Sequence, residues 1–324
     1  MQRTPDWTDA VVQSVSDITP TVREITLAPV PGTHPHAPGA HLQVQVLVAG
    51  RPQTRSYSLV GLPAGNAYRI AVKRLDGGRG GSLAMWRLAP GDRLRLTAPQ
   101  NFFPLDVSAP AYLLMAGGIG VTPLVSMAQT LAQRGAPVRM VLAARTETEL
   151  AYVNVLGDAL GDGLHCVAAS RAQTVDFASE IAALAPGGQL YFCGPAPMLD
   201  AVRQAWNLAG RPAADLRFET FGSSGRLVPQ AFQARIARQN LDIEVPADCS
   251  LLDAIEMAGV QALSGCRRGE CGLCTLDVLA LEGEIDHRDV FLSAREKAEN
   301  HRICVCVSRV VGRITLDCAY RADA

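Results

Sequence analysis

The chain has almost no net charge: 30 Lys and Arg stand against 31 Asp and Glu over 324 residues, a formal charge of −1. That balance offers no basic surface for nucleic acid, so no nucleic-acid partner is expected. Long hydrophobic runs are also missing. None reaches about 18 residues, so no membrane span is expected. The first residues, Met1 to Asp6, lack a basic stretch followed by an apolar one. No secretory signal is expected there, and a cytoplasmic location follows. There is no internal repeat, no low-complexity tract and no 2-His-1-carboxylate pattern for oxygen chemistry. The chain is 48% hydrophobic, which at this length suits about two or three domains with separate cores. Nine cysteines are present. Four fall into one pattern, and the other five are scattered through apolar segments, as in a reducing compartment.

That pattern is Cys266-Arg267-Arg268-Gly269-Glu270-Cys271-Gly272-Leu273-Cys274, followed after 29 residues by Cys304. C-x4-C-x2-C with a distant fourth Cys is the plant-type spacing for a [2Fe–2S] cluster, one thiolate pair on each iron. Gly265, Gly269 and Gly272 let a short loop curl so that backbone N–H groups point at sulfur. A zinc site is the competing reading, but zinc motifs usually pair one C-x2-C with another, or with H-x3-H. Cys306, two residues beyond Cys304, is a rival for the fourth position. Cys249 and Cys318 read as packing residues. Arg267 and Arg268 are either solvated or available to dock an acidic partner surface.

Residues 1–107 read as a small antiparallel β-barrel domain. Alternating segments at Val22–Leu27, Leu42–Val48, Arg69–Lys73 and Arg93–Thr97 are separated by Pro- and Gly-rich turns. Arg55, Tyr57 and the neighbouring Ser58 lie on one strand and can offer a guanidinium, a ring and a hydroxyl to a planar phosphate-bearing cofactor. Arg79-Gly80-Gly81-Ser82 precedes a helical pattern and suggests an anion site.

Residues 108–225 switch to strand–helix alternation and predict a parallel sheet. Strands are expected at Ala111–Met115, Val138–Ala143, Leu164–Ala169, Leu190–Cys193 and Leu216–Thr220. Helices are expected at Pro123–Gln133, Glu147–Leu160, Phe177–Leu184 and Pro197–Ala209. Ligands of such sheets bind at the carboxyl ends of strands. Two ends carry candidate nucleotide contacts: Gly117-Gly118-Ile119-Gly120-Val121-Thr122-Pro123, and Cys193-Gly194-Pro195-Ala196-Pro197-Met198. Cys193 alone is more often a small buried hydrophobe than a functional group.

Residues 226–237 read as a linker, continuing a joint at Gly222–Arg226. Residues 238–324 read as a β-grasp ferredoxin domain, with a strand at Leu241–Val245 and a helix capped by Asp248 or Ser250.

Together, Arg55-x-Tyr57-Ser58, Gly117-Gly118-Ile119-Gly120-x-Thr122-Pro123, Cys193-Gly194-Pro195-x-x-Met198 and the C-terminal cysteines resemble the phthalate dioxygenase reductase family, with its relative vanillate O-demethylase reductase. The segments Asn101-Phe102-Phe103-Pro104-Leu105 and Asp286-His287-Arg288-Asp289 resemble the same branch. The likeness spans essentially the whole chain in the order flavin, pyridine nucleotide, ferredoxin. It implies FMN, a [2Fe–2S] cluster and NADH as cofactors, with Cys304 at the family spacing for the fourth ligand. Arg55 and Ser82 would hold the phosphate, with Lys73, Arg79 and Gly81 among the flavin contacts. Tyr57 would face the ribityl side and Ser58 the ring near N5. Thr122 would approach the flavin–nicotinamide junction, Cys193 the nicotinamide, and Phe221 would cover the exposed flavin face. Gly117, Gly118, Gly120, Gly194, Pro195 and Met198 would line the nucleotide. Ser170-Arg171 departs from an acidic ribose contact and leaves NADPH open, although Asp176 lies close by.

The implied role is the reductase component of a multicomponent oxygenase. It would be a monomer feeding a Rieske-type aromatic-ring dioxygenase or O-demethylase. A stand-alone reductase of small acceptors, or a non-catalytic electron carrier, are the alternatives.

Overall fold

A computed structural model describes residues 6–30, 32–77, 80–221, 225 and 227–318. Its strands form three sheets. The first contains β1 (Trp7–Thr19), β2 (Val22–Pro29), β3 (His41–Val48), β4 (Arg51–Ser58), β5 (Tyr68–Lys73) and β6 (Arg93–Thr97). Their order is β4-β3-β6-β1-β2-β5, all pairs antiparallel. A bridge from Leu59 to Ile70 ties the chain beyond β4 to the opposite edge, drawing the sheet towards a barrel. Ile25, Leu27, Leu42, Val44, Ile70 and Leu96 fill it. The first strand escapes simple alternation because its register shifts between Val12 and Ser14 and again between Asp17 and Thr19. Each bulge reverses which residues face inward. Helix α1 (Gly81–Trp86) follows β5.

The second sheet is parallel: β7 (Tyr112–Gly117), β8 (Val138–Ala144), β9 (Leu164–Ala168), β10 (Gln189–Cys193) and β11 (Leu216–Glu219). Every residue of β7 and β10 is buried, because helices cover both faces. Tyr112, Leu114 and Ala116 enter one core, and Leu113 and Met115 the other. The covering helices are α2 (Val121–Gln133), α3 (Val153–Leu160), α4 (Phe177–Ala182) and α5 (Ala196–Leu208). The helix expected from Glu147 begins only at Val153, because Tyr152 before it adopts φ +63°. The first of these cores also takes in Val22, Val60, Ala71 and Phe103. The barrel and the parallel sheet therefore share one apolar interior, which holds β4 and β5 in place against the strand ends of the second sheet.

The third sheet has the order β13-β12-β16-β14-β15. Its members are β12 (Phe232–Ile236), β13 (Leu241–Val245), β14 (Thr275–Asp286), β15 (Arg302–Cys304) and β16 (Arg309–Asp317), with helices α6 (Leu251–Met257) and α7 (Ala294–Glu299). Only the β12–β16 pair is parallel. This is the β-grasp arrangement expected from the sequence. Ser250, not Asp248, caps α6 by accepting from the Asp253 N–H at 3.0 Å. Asp248 instead receives Arg51 of the barrel at 2.9 Å.

One boundary differs from the sequence reading. Within the stretch 226–237 taken as linker, Phe232–Ile236 is a central strand of the third sheet, with Phe232, Ala234 and Ile236 in its core. The two polar residues between them, Gln233 and Arg235, mask a short alternation as tether. Most of the joint at Gly222–Arg226 lies outside the described residues. Among the described residues no helix is long and apolar enough to cross a membrane.

Candidate active site

In the second sheet the strand order reverses between β7 and β10, so a crevice opens beyond their carboxyl ends. The loops leaving both strands are Gly-rich for a steric reason. A Cβ at Gly117 would lie 2.5 Å from the Pro195 ring, and one at Gly120 would lie 2.1 Å from the Cys193 carbonyl oxygen. The two loops thus pack backbone to backbone and form a floor onto which a ligand can descend closely. Gly118 takes φ +55° and faces open space. Met198 Sδ packs on Gly117 from α5. Thr122 and Cys193 lie beneath this floor and do not line it. The Thr122 hydroxyl donates to the Ile119 carbonyl at 3.0 Å. Cys193 is fully buried, and burial, reinforced by the nearby Glu219, pushes its thiol well above the ordinary range, so it stays protonated.

The barrel contributes β4. Tyr57 packs against the barrel core, and its phenol is pushed up to about 12 by burial, partly offset by Arg55, so the ring is neutral. Arg55 lies against the start of α1, where a Cβ at Gly81 would meet its Nε at 2.6 Å. A half-buried guanidinium packed onto a glycine at a helix start is a fitting cradle for a phosphate. Ser82 sits beside it and accepts from the Leu75 N–H at 3.2 Å. Arg79 lies outside the described residues. Lys73 is drawn the other way, to Glu149 at 3.3 Å. Arg171 is paired with Glu147, and Asp176 caps α4 by accepting from the Ser179 N–H at 3.1 Å. Neither is left free at a ribose position.

The cluster loop docks on the outer face of β3 and β4. Gln43 Nε2 donates to the Gly265 carbonyl at 3.1 Å, and Ser56 Oγ to the Cys266 carbonyl at 3.2 Å. The sulfurs gather as two pairs. Cys266 and Cys271 are in side-chain contact, and the Arg268 N–H donates to Cys266 Sγ at 3.4 Å. Cys274 meets both remaining candidates. Its Sγ is 3.1 Å from Cys306 Sγ, and it also touches Cys304. Among the described residues no group of three or more His, Cys, Asp or Glu side chains is arranged to hold a single metal ion. A two-plus-two donor set of thiols with N–H groups aimed at sulfur fits a dinuclear cluster.

The structure corrects the reading of Arg267 and Arg268. Neither is solvated, and neither is available to a partner. Arg267, at φ +53°, is tied to Asp253 at 3.0 Å and to Glu256. Arg268 is 5% exposed and reaches Glu219 Oε1 at 2.6 Å. Both are interior because carboxylates of α6 and β11 are folded against them.

Three residues at the site were not anticipated. Glu219, at the end of β11, is fully buried and accepts from Ser58 Oγ at 3.2 Å. Its signal was a lone carboxylate between Phe218 and Phe221 at a strand end. Glu270 receives the Thr220 N–H and is pushed up to about 8 by burial. His41, opposite Ser58 on β3, is buried beside Phe102 with neither ring nitrogen hydrogen-bonded. Burial and then the Arg268 charge push it down to about 3, so it is neutral.

All three modules meet in one cleft of about 720 Å³, lined by Arg55 and Ser56, Gly117 and Gly120, Gly194 and Pro195, Phe221, Arg268 and Cys306.

Comparison with known proteins agrees with this layout. Residues 114–204 match a family described as an oxidoreductase NAD-binding domain, and residues 234–311 a 2Fe-2S iron-sulfur cluster binding domain. The chain is 37% identical over 307 residues to the heme-dependent oxidative N-demethylase beta subunit of Ectopseudomonas mendocina (strain ymp), covering 94% of this chain and 96% of that one. It is 35% identical over 291 residues to phthalate dioxygenase reductase of Burkholderia cepacia, covering 87% and 86%. A solved phthalate dioxygenase reductase, described as a modular structure for electron transfer from pyridine nucleotides to [2Fe-2S], superposes with a TM-score of 0.85 at 31% identity, covering 96% and 98%.

Proposed function

The chain belongs to the phthalate dioxygenase reductase family, and from that premise we propose that it carries electrons from NADH through FMN and a [2Fe–2S] cluster to a terminal oxygenase. The observation that carries this reading is the single cleft on which the barrel, the parallel sheet and the cluster loop converge. When bound, the flavin supplies the link between a two-electron hydride donor and a one-electron cluster.

The residues divide the remaining work. Arg55, with Gly81 and Ser82, holds the flavin phosphate, and Tyr57 gives the ring a neutral apolar wall. Ser58, oriented by Glu219, presents a hydroxyl at the flavin edge. The Gly117–Gly120 and Gly194–Pro195 loops seat the dinucleotide against the sheet. Phe221, 37% exposed at the rim, covers the cleft when the nucleotide is away. Cys193 and Thr122 support the floor from below. Cys266, Cys271 and Cys274 hold the cluster, and for the fourth position we place Cys306 ahead of Cys304. NADH is favoured because Arg171, the cation that would greet a 2′-phosphate, is already paired with Glu147. The domains are read as 1–107, 108–225 and 226–324, with the strand at Phe232–Ile236 assigned to the last. A cytoplasmic monomer completes the proposal.

The Rieske character of the oxygenase rests on the family's name-giving members. A haem oxygenase is a second reading, favoured by the N-demethylase relative.

Anaerobic titration of the holoprotein with NADH, then NADPH, followed by visible absorbance and low-temperature EPR, tests the path. Flavin bleaching with a reduced-cluster signal, at lower NADH than NADPH, is the expected result. A cluster reduced by dithionite but by neither nucleotide would make the chain a carrier.

Arg55→Ala tests the phosphate cradle. A charge-assisted hydrogen bond contributes about 1.5–3 kcal/mol, so flavin affinity should fall roughly tenfold to a hundredfold. Flavin retained per polypeptide after desalting, and a fluorescence-quenching Kd, measure this. Wild-type retention would move the phosphate elsewhere.

A further inference from the structure

Arg268 belongs to the cluster loop by its backbone and to the flavin side by its side chain. Its N–H donates to Cys266 Sγ at 3.4 Å, which anchors the residue to the first cysteine of the loop. Its guanidinium then runs away from the sulfur to Glu219 Oε1 at 2.6 Å. The other oxygen of Glu219 accepts from Ser58 Oγ. Three links thus join the cluster loop, the end of β11 and the end of β4 in one buried chain of contacts.

Most other ties across this junction are of a different kind. Gln43 and Ser56 bind backbone carbonyls of the loop, and would hold any side-chain sequence there equally well. Arg51 and Asp248 form a pair 41% and 28% exposed, of the sort that water screens. Two buried charges of the cluster loop reach towards β4: Arg267 through Asp253, which lies 3.7 Å from Arg55, and Arg268 through Glu219, which accepts from Ser58.

It is also incompletely satisfied. Although Arg268 and Glu219 touch as opposite charges, none of the three guanidinium nitrogens is aligned for a hydrogen bond, and the residue lines the shared cleft. A buried guanidinium with unspent donors is costly to maintain.

We infer that Arg268 is a positioning residue for flavin-to-cluster electron transfer. It clamps the cluster loop onto Glu219 and Ser58, and it completes the flavin's polar surroundings from the ferredoxin side. This rests on the function proposed above. Its loss would let the loop and β4 shift relative to each other without removing any cluster ligand or phosphate contact.

The test uses the holoprotein carrying Arg268→Met, Arg268→Lys or Glu219→Gln. Iron and sulfide content and the dithionite-reduced EPR spectrum first establish that each variant holds its cluster. Rapid anaerobic mixing with NADH then gives two rates, for flavin bleaching and for cluster reduction, and a redox titration gives the flavin midpoint potential. In Arg268→Met the ratio of cluster rate to flavin rate should fall at least about tenfold, within the roughly hundredfold that a 1 Å misplacement can cost. The flavin potential should move as well, and Arg268→Lys should recover most of the ratio. Full cluster content with a wild-type ratio in Arg268→Met overturns the proposal. If that variant loses its cluster, Glu219→Gln, which leaves the loop's own sequence intact, decides by the same ratio. A wild-type protein whose flavin NADH does not reduce would refute the functional reading instead, so the two failures are separable.

Discussion

Cys306→Ser is expected to yield protein that keeps its flavin and loses its [2Fe–2S] cluster, whereas Cys304→Ser keeps both. Cys304 ends β15, and its backbone is held in register opposite Thr275. Its sulfur is fully buried and lies 3.4 Å from the Thr275 hydroxyl. Past Cys304 the chain turns, with the Val307 and Ser308 N–H groups both donating to the Cys304 carbonyl. Cys306 therefore sits on a turn, where a ligand can swing into place. Its sulfur is already 3.1 Å from that of Cys274, and it lines the cleft that the flavin site shares. Iron and sulfide per polypeptide, with the dithionite-reduced EPR signal, measure the outcome. Iron falling to near zero in Cys306→Ser, with flavin absorbance retained, is the expected pattern. Full cluster content in Cys306→Ser, with loss in Cys304→Ser, would return the fourth position to Cys304. Partial loss in both would mean that each can serve.

Gly120→Ala should be the most damaging single methyl addition at the nucleotide site. The new Cβ would stand 2.1 Å from the Cys193 carbonyl oxygen and 2.9 Å from the Gly194 nitrogen. Both are backbone atoms of a strand end and its loop, so no side chain can swing away to relieve the contact. Gly120 has an ordinary φ of −60°, which makes the cost purely one of space. Overpacking of this kind costs about 1–3 kcal/mol, and a backbone-to-backbone clash belongs at the upper end. The relief available is to part the loops after β7 and β10, which opens the floor of the nucleotide crevice. KM for NADH should therefore rise at least about tenfold, the equivalent of about 1.4 kcal/mol of lost binding. The melting temperature should fall as well. Gly118→Ala is the contrast. Nothing lies within 4 Å of its Cβ, and only the left-handed φ of +55° opposes it. About 1 kcal/mol of strain is expected there, with little effect on the floor. Equal effects of the two substitutions on KM would show that the close packing at Gly120 is not what shapes the crevice.

Neighbouring residues decided much of the pattern, and that part was legible in the sequence. The spacing of Cys266, Cys271 and Cys274 forces three sulfurs into one small loop whatever surrounds it. Continuous apolar runs such as Leu113–Ala116 and Leu190–Cys193 can satisfy both of their faces only between two helical layers. Glycines and prolines after those strands marked the crevice. The same local logic misled at Phe232–Ile236, where two polar residues on the outward face made a central strand look like tether.

What remained depended on partners far away in the chain. Cys274 touches both Cys304 and Cys306, and that the first ends a strand while the second lies on the turn after it depends on where β15 stops, a point set by the pairing with Thr275. Arg267 and Arg268 look solvent-facing in a polar loop, and became interior charges only because Asp253 and Glu256 on α6, and Glu219 on β11, are folded against them. Lys73 and Arg171, plausible phosphate ligands by sequence, are claimed by Glu149 and Glu147 of the segment after β8. Sequence spacing dictates which groups must be near each other along the backbone. The direction in which a long charged side chain discharges its burial cost depends on which opposite charge the assembled sheets bring within reach, and only the tertiary structure decides that.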